Sequence, residues 1–417
     1  GMVLRQEVFE LDVDKLNQDM EKPVRLYSTA YHNSNIICLQ RQNGNRHAAF
    51  LVTESEAITY NYELDLEQKI PRPDPRIAHT LNLHFDKYGR AVQSVAVNYP
   101  RLVPYADPAD LLTTEQRQLI RNVQSERHIG YTETHFTDEL PEDPDRHRLP
   151  APCEVLTYEL TGAKSTTGFS PSAGLYFSLE DLKDFALSEI LPDQGPKSVV
   201  PLAYHEQATG DREKAHKRIV EWVRVLYFTD DLSGPLDFGQ PSRLGLTYET
   251  YKLALTRDLL KAVLDTKLTT QVFTNLNTPP ISGYIPGTAL SSTLANQWWI
   301  RSGIAGFARD PIQHFYLPDE YTDPFGNKTR LAYDGKYDLF IQSSTDALGN
   351  KSGIATVRSD PADPSTERPR FDYRVLAPIE MVDPNGNHTE VYFDVLGMVV
   401  ASAVKGKGTE ADNLNGY

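Results

Sequence analysis

The sequence has little cysteine: two residues, Cys38 and Cys153, in 417. So few cannot form a disulfide framework, and buried free thiols are the simplest reading. It also lacks any excess of positive charge. The formal net charge is −15, which argues against a nucleic-acid binder, because neutralising phosphates takes a basic surface. The same balance disfavours direct contact with an anionic membrane. No apolar run approaches the length of a membrane span. The start, Gly1-Met2-Val3-Leu4-Arg5-Gln6, turns polar almost at once, so it carries no secretory signal, and Gly1 ahead of Met2 looks like an added residue.

Catalytic and cofactor motifs are equally sparse. Gly168-Phe169-Ser170-Pro171-Ser172 lacks the final glycine of a nucleophile elbow. Lys405-Gly406-Lys407-Gly408-Thr409 has the tail of a phosphate loop without its first glycine or following helix. His205-Glu206 opens like a metalloprotease motif, but no histidine stands four residues after His205. His79 and His84 fall on opposite faces of an extended strand, and His128 and His135 are no better spaced as ligands. Neither a metal nor another cofactor is expected. Glu54-Ser55-Glu56 matches the Glu-x-Glu of ADP-ribosylating toxins without the rest of that signature. Cys153, between Pro152 and Glu154, has no catalytic surroundings.

What the chain does have is a repeat. Asp323-Pro324-Phe325-Gly326-Asn327-Lys328-Thr329-Arg330-Leu331-Ala332-Tyr333-Asp334 superposes without a gap on Asp383-Pro384-Asn385-Gly386-Asn387-His388-Thr389-Glu390-Val391-Tyr392-Phe393-Asp394. A degenerate opening, Asp346-Ala347-Leu348-Gly349-Asn350, lies between them. Asp-Pro-x-Gly is turn chemistry: proline presets φ and glycine accepts a positive one. The alternation that follows is that of a half-buried strand. An aromatic-Asp then leads into a second turn, as in Phe393-Asp394-Val395-Leu396-Gly397 before Met398-Val399-Val400. Units of strand, turn and strand laid side by side make one antiparallel sheet.

Hydrophobic residues make up 40% of the chain and aromatics 10%, enough for a real core. Strands are expected at Val24–Tyr27, Ile36–Leu39, Ala48–Val52 and through Ile58, Tyr60 and Tyr62, with a hairpin turn at Asn43-Gly44. Phe85-Asp86-Lys87-Tyr88-Gly89 is a first aromatic-Asp-x-x-Gly unit. Helical spacing appears after Thr113, after Ser178, from Asp211 to about Leu226 and from Thr256 to about Leu264. Pro141–Pro152 and Pro279-Pro280 suggest proline-rich loops. Three parts follow: a β region over 1–100, a mixed insertion with about four helices over 101–295, and a repeat sheet over 296–417.

Aromatic-Asp-x-x-Gly followed by a short apolar strand resembles the YD repeat of the RHS family. Longer phrases are more specific. His314-Phe315-Tyr316-Leu317-Pro318 before Asp323-Pro324-Phe325-Gly326-Asn327 resembles the B component of the bacterial Tc insecticidal toxin complexes, a TcaC-like and SpvB-related family. So do Arg148–Glu154 with Thr157–Gly162, Asp230–Leu236, and Asp383–Asn387 through Val400. The resemblance runs from about Pro75 to the C-terminus and implies a piece of a larger protein.

What the resemblance implies is a mainly β fold, a curved antiparallel sheet of RHS/YD hairpins forming part of a hollow shell, with a partly helical region inserted. The shell of that family, made with the RHS region of the partner C component, encloses a toxic polypeptide. A propeller outside this chain docks it on the pore-forming A component. The chain is then a secreted or cell-surface structural segment, not an enzyme, with no site residues. Two alternatives stay open. Self-cleaving RHS proteins resemble one another in paired Asp-Pro-x-Gly elements; Asp323 and Asp346 approach that pattern, but the spacing is one residue too long, Ala347 replaces proline and Asn350 replaces leucine. A glycan-binding module would use Trp298-Trp299 as its platform. An open repeat sheet leaves raw edges, so self-association or a partner is expected.

Overall fold

The computed structural model describes residues 2–11, 24–62, 74–103, 111–140, 147–163, 176–186, 199–207, 215–406 and 414. The sequence features at Gly168–Ser172, at 211–214, around Pro192 and at Lys407–Thr409 lie outside the described residues. The fold is mainly β, built of antiparallel sheets that do not close into a barrel. The chain forms two compact units: Gly1–Leu226 with Leu236–Gly245 and Leu255–Leu268, and Tyr227–Pro235 with Leu246–Ala254 and Thr269–Tyr417.

In the first unit, β1 (Arg5–Leu11), β2 (Val24–Gln40), β3 (Ala49–Asn61), β4 (Arg76–Phe85), β5 (Ala91–Asn98), β6 (His128–Phe136), β7 (Pro152–Thr161) and β9 (Ala215–Tyr227) pair in that order, all antiparallel. β8 (Val199–Leu202) is parallel to β9. Strand β4 shows why a core forms here: Ile77, His79, Leu81 and Leu83 are buried while Arg76, Ala78, Thr80 and His84 face outward. Their buried side joins Val95, Val97, Ile129, Tyr131 and Leu160. Helix α1 (Thr114–Gln124) has the expected capping box at Thr113 and buries no side chain. Helix α2 (Leu179–Ala186) is capped by Ser178 and drives Leu182 into the core. Helix α3 (Arg257–Leu264) starts on the Thr256 side chain.

Two expectations about strand length are corrected. Val24–Tyr27 and Ile36–Leu39 belong to one 17-residue strand, β2, which runs unbroken through its polar middle; where Asn33 gives way to Ser34 the register steps past an extra residue, Ser55, on β3. Ala48–Val52 and the Ile58 to Tyr62 stretch merge likewise into β3.

The helix expected up to Leu226 is a strand, β9. Its partner register steps from Ile219↔Tyr158 to Glu221↔Thr157, so Val220 is an extra, bulged residue. The bulge shifts the alternation by one. Lys217, Ile219, Trp222 and Arg224 therefore share a face, and their uneven spacing imitates a helical stripe. β-Branched and aromatic residues through Val220, Trp222, Val223, Val225 and Tyr227 favour the extended form.

The second unit holds β10 (Thr247–Thr256), α4 (Thr270–Leu276), α5 (Pro279–Ser282), β11 (Tyr284–Pro286) and β12 (Gln297–Arg301). The Pro279-Pro280 loop is in fact the first turn of α5, where a missing N–H costs nothing. An eight-stranded sheet follows in the order β13 (Ile304–Phe307), β14 (Pro318–Thr322), β15 (Lys328–Tyr333), β16 (Ile341–Thr345), β17 (Lys351–Ile354), β22 (Glu380–Val382), β23 (His388–Phe393) and β24 (Val399–Lys405). Between β17 and β22 the chain makes two small ladders, β18 (Thr356–Arg358) with β19 (Glu367–Pro369) and β20 (Phe371–Asp372) with β21 (Ala377–Pro378). Phe371 stacks on Phe340 there, with ring centroids 3.7 Å apart.

Candidate functional site: repeat turns and carboxylate networks

One turn recurs at Asp86, Asp323, Asp346, Asp383 and Asp394. In the second of these the Asp323 N–H donates to Asn327 O at 2.8 Å and the Gly326 N–H donates to Asp323 O at 3.0 Å. The carboxylate works inward: Oδ1 accepts from the N–H groups of Phe325 and Asn327, and Oδ2 accepts from Asn327 Nδ2. Asp346 and Asp383 repeat all five bonds with Asn350 and Asn387. Asp86 substitutes Arg90 Nε for the amide, and Asp394 makes the four bonds that need no side-chain donor.

Each of these turns closes with a residue pairing six positions on: Phe85↔Ala91, Thr322↔Lys328, Thr345↔Lys351, Val382↔His388 and Phe393↔Val399. The glycines sit at φ values between 79° and 87°, a region that a side chain resists. The Asp-Pro-x-Gly-Asn and aromatic-Asp-x-x-Gly phrases are thus one turn. Asp346 shows that proline is dispensable to it. Tyr333-Asp334 departs from the pattern: its loop is longer, and the Asp334 N–H reaches Phe340 O.

These bonds decide the protease alternative. Asp323 and Asp346 each hold their own turn, and their hydrogen bonds, first to Asn327 and Asn350, pull both carboxyls below the usual range. The two turns cap hairpins β14–β15 and β16–β17, two strand spacings apart, about 10 Å. A shared proton requires carboxylates in direct contact. The structure does not bring this pair together.

Other carboxylates are buried, and cations saturate them. Glu154 accepts from His135 Nδ1 at 2.8 Å, Trp222 Nε1 at 2.7 Å and Arg224 Nε at 2.7 Å. Burial pushes its carboxyl up, but these three donors outweigh it and bring it down to about 2. In the second unit Arg301 forks onto Glu249 at 2.6 and 3.1 Å, and Tyr251 OH donates to the same carboxylate at 2.6 Å. Arg370 Nε lies 2.9 Å from Glu380, and its Nη2 lies 2.5 Å from Glu390. Lys405 reaches both glutamates at 3.5 and 3.1 Å, and His388 adds a bond to Glu380 at 2.7 Å. Such groups fasten strands.

The remaining candidates are structural as well. Burial pushes the Cys153 thiol up to about 11, and its Sγ lies 3.6 Å from His135 O. Cys38 is exposed. His79 is buried and His84 exposed, on opposite sides of β4. Among the described residues no group of three or more His, Cys, Asp and Glu could hold a metal ion. Trp298 and Trp299 are 4% and 0% exposed, so the proposed platform is a correction: β12 is covered on both faces. Trp298 Nε1 donates to Asn277 Oδ1 at 3.0 Å, and its ring packs on Phe273.

Residues 1–146 match the family described as the insecticide toxin TcdB middle/C-terminal region. Solved structures extend the likeness over the rest. A crystal structure of TcdB2-TccC3 is 18% identical with a TM-score of 0.57, and the match covers 97% of this chain and 16% of that one. The Photorhabdus luminescens Tc holotoxin pore is 20% identical with a TM-score of 0.58 over the same shares. Residues 1–146 are thus similar to the middle/C-terminal region of TcdB, and the whole chain shares the fold of the matching part of these structures. No curated protein matches it. The chain spans 16% of the length of the solved chains it resembles. Among its described residues no helix is long and apolar enough to cross a membrane.

Proposed function

We propose that this chain is a segment of a Tc toxin B component and a non-enzymatic wall piece of a secreted toxin complex. Its hairpins form part of an RHS shell, completed by the RHS region of a partner C component, that encloses a toxic polypeptide. Delivery then runs through a pore-forming A component docked by a propeller elsewhere in the B chain. The three-part reading, 1–100, 101–295 and 296–417, assigns the repeat hairpins to the wall and the partly helical middle to its bracing.

The observation that carries this reading is the single turn closing five hairpins with one register. A chain that repeats its backbone bonds at Asp86, Asp323, Asp346, Asp383 and Asp394 invests its regularity in building a sheet. Its buried carboxylates are neutralised by arginine and lysine, as a scaffold requires. The terminal strands β13 and β24 of the eight-stranded sheet offer edges for further strands. Similar solved structures are of TcdB2 with TccC3 and of a holotoxin pore.

The test is co-expression with the RHS region and toxic tail of a C component, followed by size-exclusion chromatography and proteolysis. A one-to-one complex in which the tail resists protease is expected. A monomer that leaves the tail digestible would sink the reading.

A further inference from the structure

The first unit contains a cavity of about 820 Å³ between β2, β3, β4 and the start of α2. Tyr31, Tyr60 and Tyr176 form its aromatic walls, and Glu56 and Glu180 its charged ones. The rings do not form a flat platform. Tyr31 and Tyr60 meet at 88° with centroids 6.2 Å apart, and Tyr60 and Tyr176 meet at 90° with centroids 6.5 Å apart. A sugar stacks on one face. Rings at right angles instead present several electron-rich surfaces to one compact group.

Among the described residues no lysine or arginine lines the cavity. Arg5 already lies over the Tyr31 ring, 5.2 Å from its centroid, showing that this ring takes a cation. At the floor, the Phe177 N–H donates to Tyr99 OH at 2.9 Å. The same hydroxyl lies 2.9 Å from His79 Nδ1, which accepts its proton in the neutral imidazole that carries hydrogen on Nε2. His79 then donates from Nε2 to Glu56 at 2.9 Å. This bond, ahead of all other causes, holds the Glu56 carboxyl below the usual range and keeps it ionised in the wall.

We propose that this cavity binds an organic ammonium group, with tyrosine faces around the cation and Glu56 and Glu180 as counter-charges. The volume accommodates the head group together with the alkyl chain that bears it. Two sources share that chemistry, a free quaternary amine and the lysine side chain of a polypeptide.

Titration of the 417-residue chain, followed by saturation-transfer NMR, tests it with three probes. Choline is expected to saturate in the millimolar range, while 3,3-dimethylbutan-1-ol, its uncharged isostere, binds at least tenfold more weakly. N-acetyl-lysine methylamide distinguishes the sources: tighter binding than choline assigns the site to polypeptide, weaker binding to a small amine. Glu56→Gln keeps an acceptor for His79 and should weaken choline roughly tenfold; Tyr60→Leu should do the same. The wild-type comparison needs no variant to fold. Equal binding of choline and its isostere, or saturation by no probe, overturns the proposal.

Discussion

Glu380 and Glu390 stand directly opposite each other on β22 and β23, two carboxylates in register on one face of the sheet. Like charges in that position repel, and both side chains are nearly buried, at 6% and 7% exposure. Arg370 and Lys405 bridge the pair. Burial pushes the Glu390 carboxyl up, yet the bond from Lys405 and the charges of Lys405 and Arg370 leave it below the usual range. Arg370→Met should therefore destabilise by about 3 kcal/mol, because it leaves two facing carboxylates with Lys405 as their one shared cation. Adding Glu380→Gln should recover much of that loss. Urea denaturation of the single and double variants measures both; an additive double variant would refute the coupling.

Acid sensitivity should trace to Glu154. Its folded-state carboxyl is depressed to about 2 from an ordinary 4.5. A depressed carboxyl contributes stability above its unfolded value and loses it as pH falls through the folded one. Wild type should exceed Glu154→Gln by about 3 kcal/mol at neutral pH, with the difference shrinking between about pH 4.5 and pH 2. His135, whose bond to Glu154 raises it, works in the other direction: its share is complete below its unfolded value and fades as pH climbs through the raised one. Denaturation at a series of pH values for both proteins resolves the two slopes.

Two glycines should respond differently to alanine. Gly386 has φ +79° and nothing within 4 Å of an added Cβ, so Gly386→Ala costs about 1 kcal/mol from backbone conformation alone. At Gly287 the same atom would fall 2.0 Å from Leu294 O, a backbone atom that cannot rotate away. Gly287→Ala should cost several-fold more. Thermal unfolding that ranks Gly386→Ala as the worse variant would contradict this geometry.

No self-cleavage should occur at the repeat turns. Asp323 and Asp346 are each committed to hydrogen bonds within their own hairpin loop. The full-length band is expected to persist through prolonged incubation at acid and neutral pH, and Asp323→Asn should change nothing. Fragments that appear in wild type and vanish in this variant would restore the protease alternative.

Much of this was legible in the sequence because turn chemistry is local. Asp, Gly and Asn at fixed offsets specify their hydrogen bonds within five residues, so the hairpins at Asp323, Asp346 and Asp383 could be read directly. The caps at Thr113, Ser178 and Thr256 are local too. Strand β9 was misread because its bulge at Val220 depends on pairing with β7, a partner some sixty residues away that leaves no mark on the nearby sequence. The carboxylate networks were missed for the same reason: Glu154 with Arg224 and Glu249 with Arg301 are joined only by the sheet. A glutamate inside a strand rich in β-branched and aromatic residues, as at Glu154 and Glu249, was the available signal.

The repeat has a further consequence for how such a sheet can vary. In both full repeats the aspartate that opens the turn is followed eleven residues later by the aspartate that ends the strand, Asp323 to Asp334 and Asp383 to Asp394, whether a turn of the same kind follows, as at Asp394, or a longer loop, as at Asp334. That interval fixes how tall a hairpin stands, while the number of hairpins fixes how far the sheet extends sideways. Strand length and sheet width are thus encoded separately. A lineage can add or delete whole tiles and widen or narrow the sheet without re-cutting any one of them.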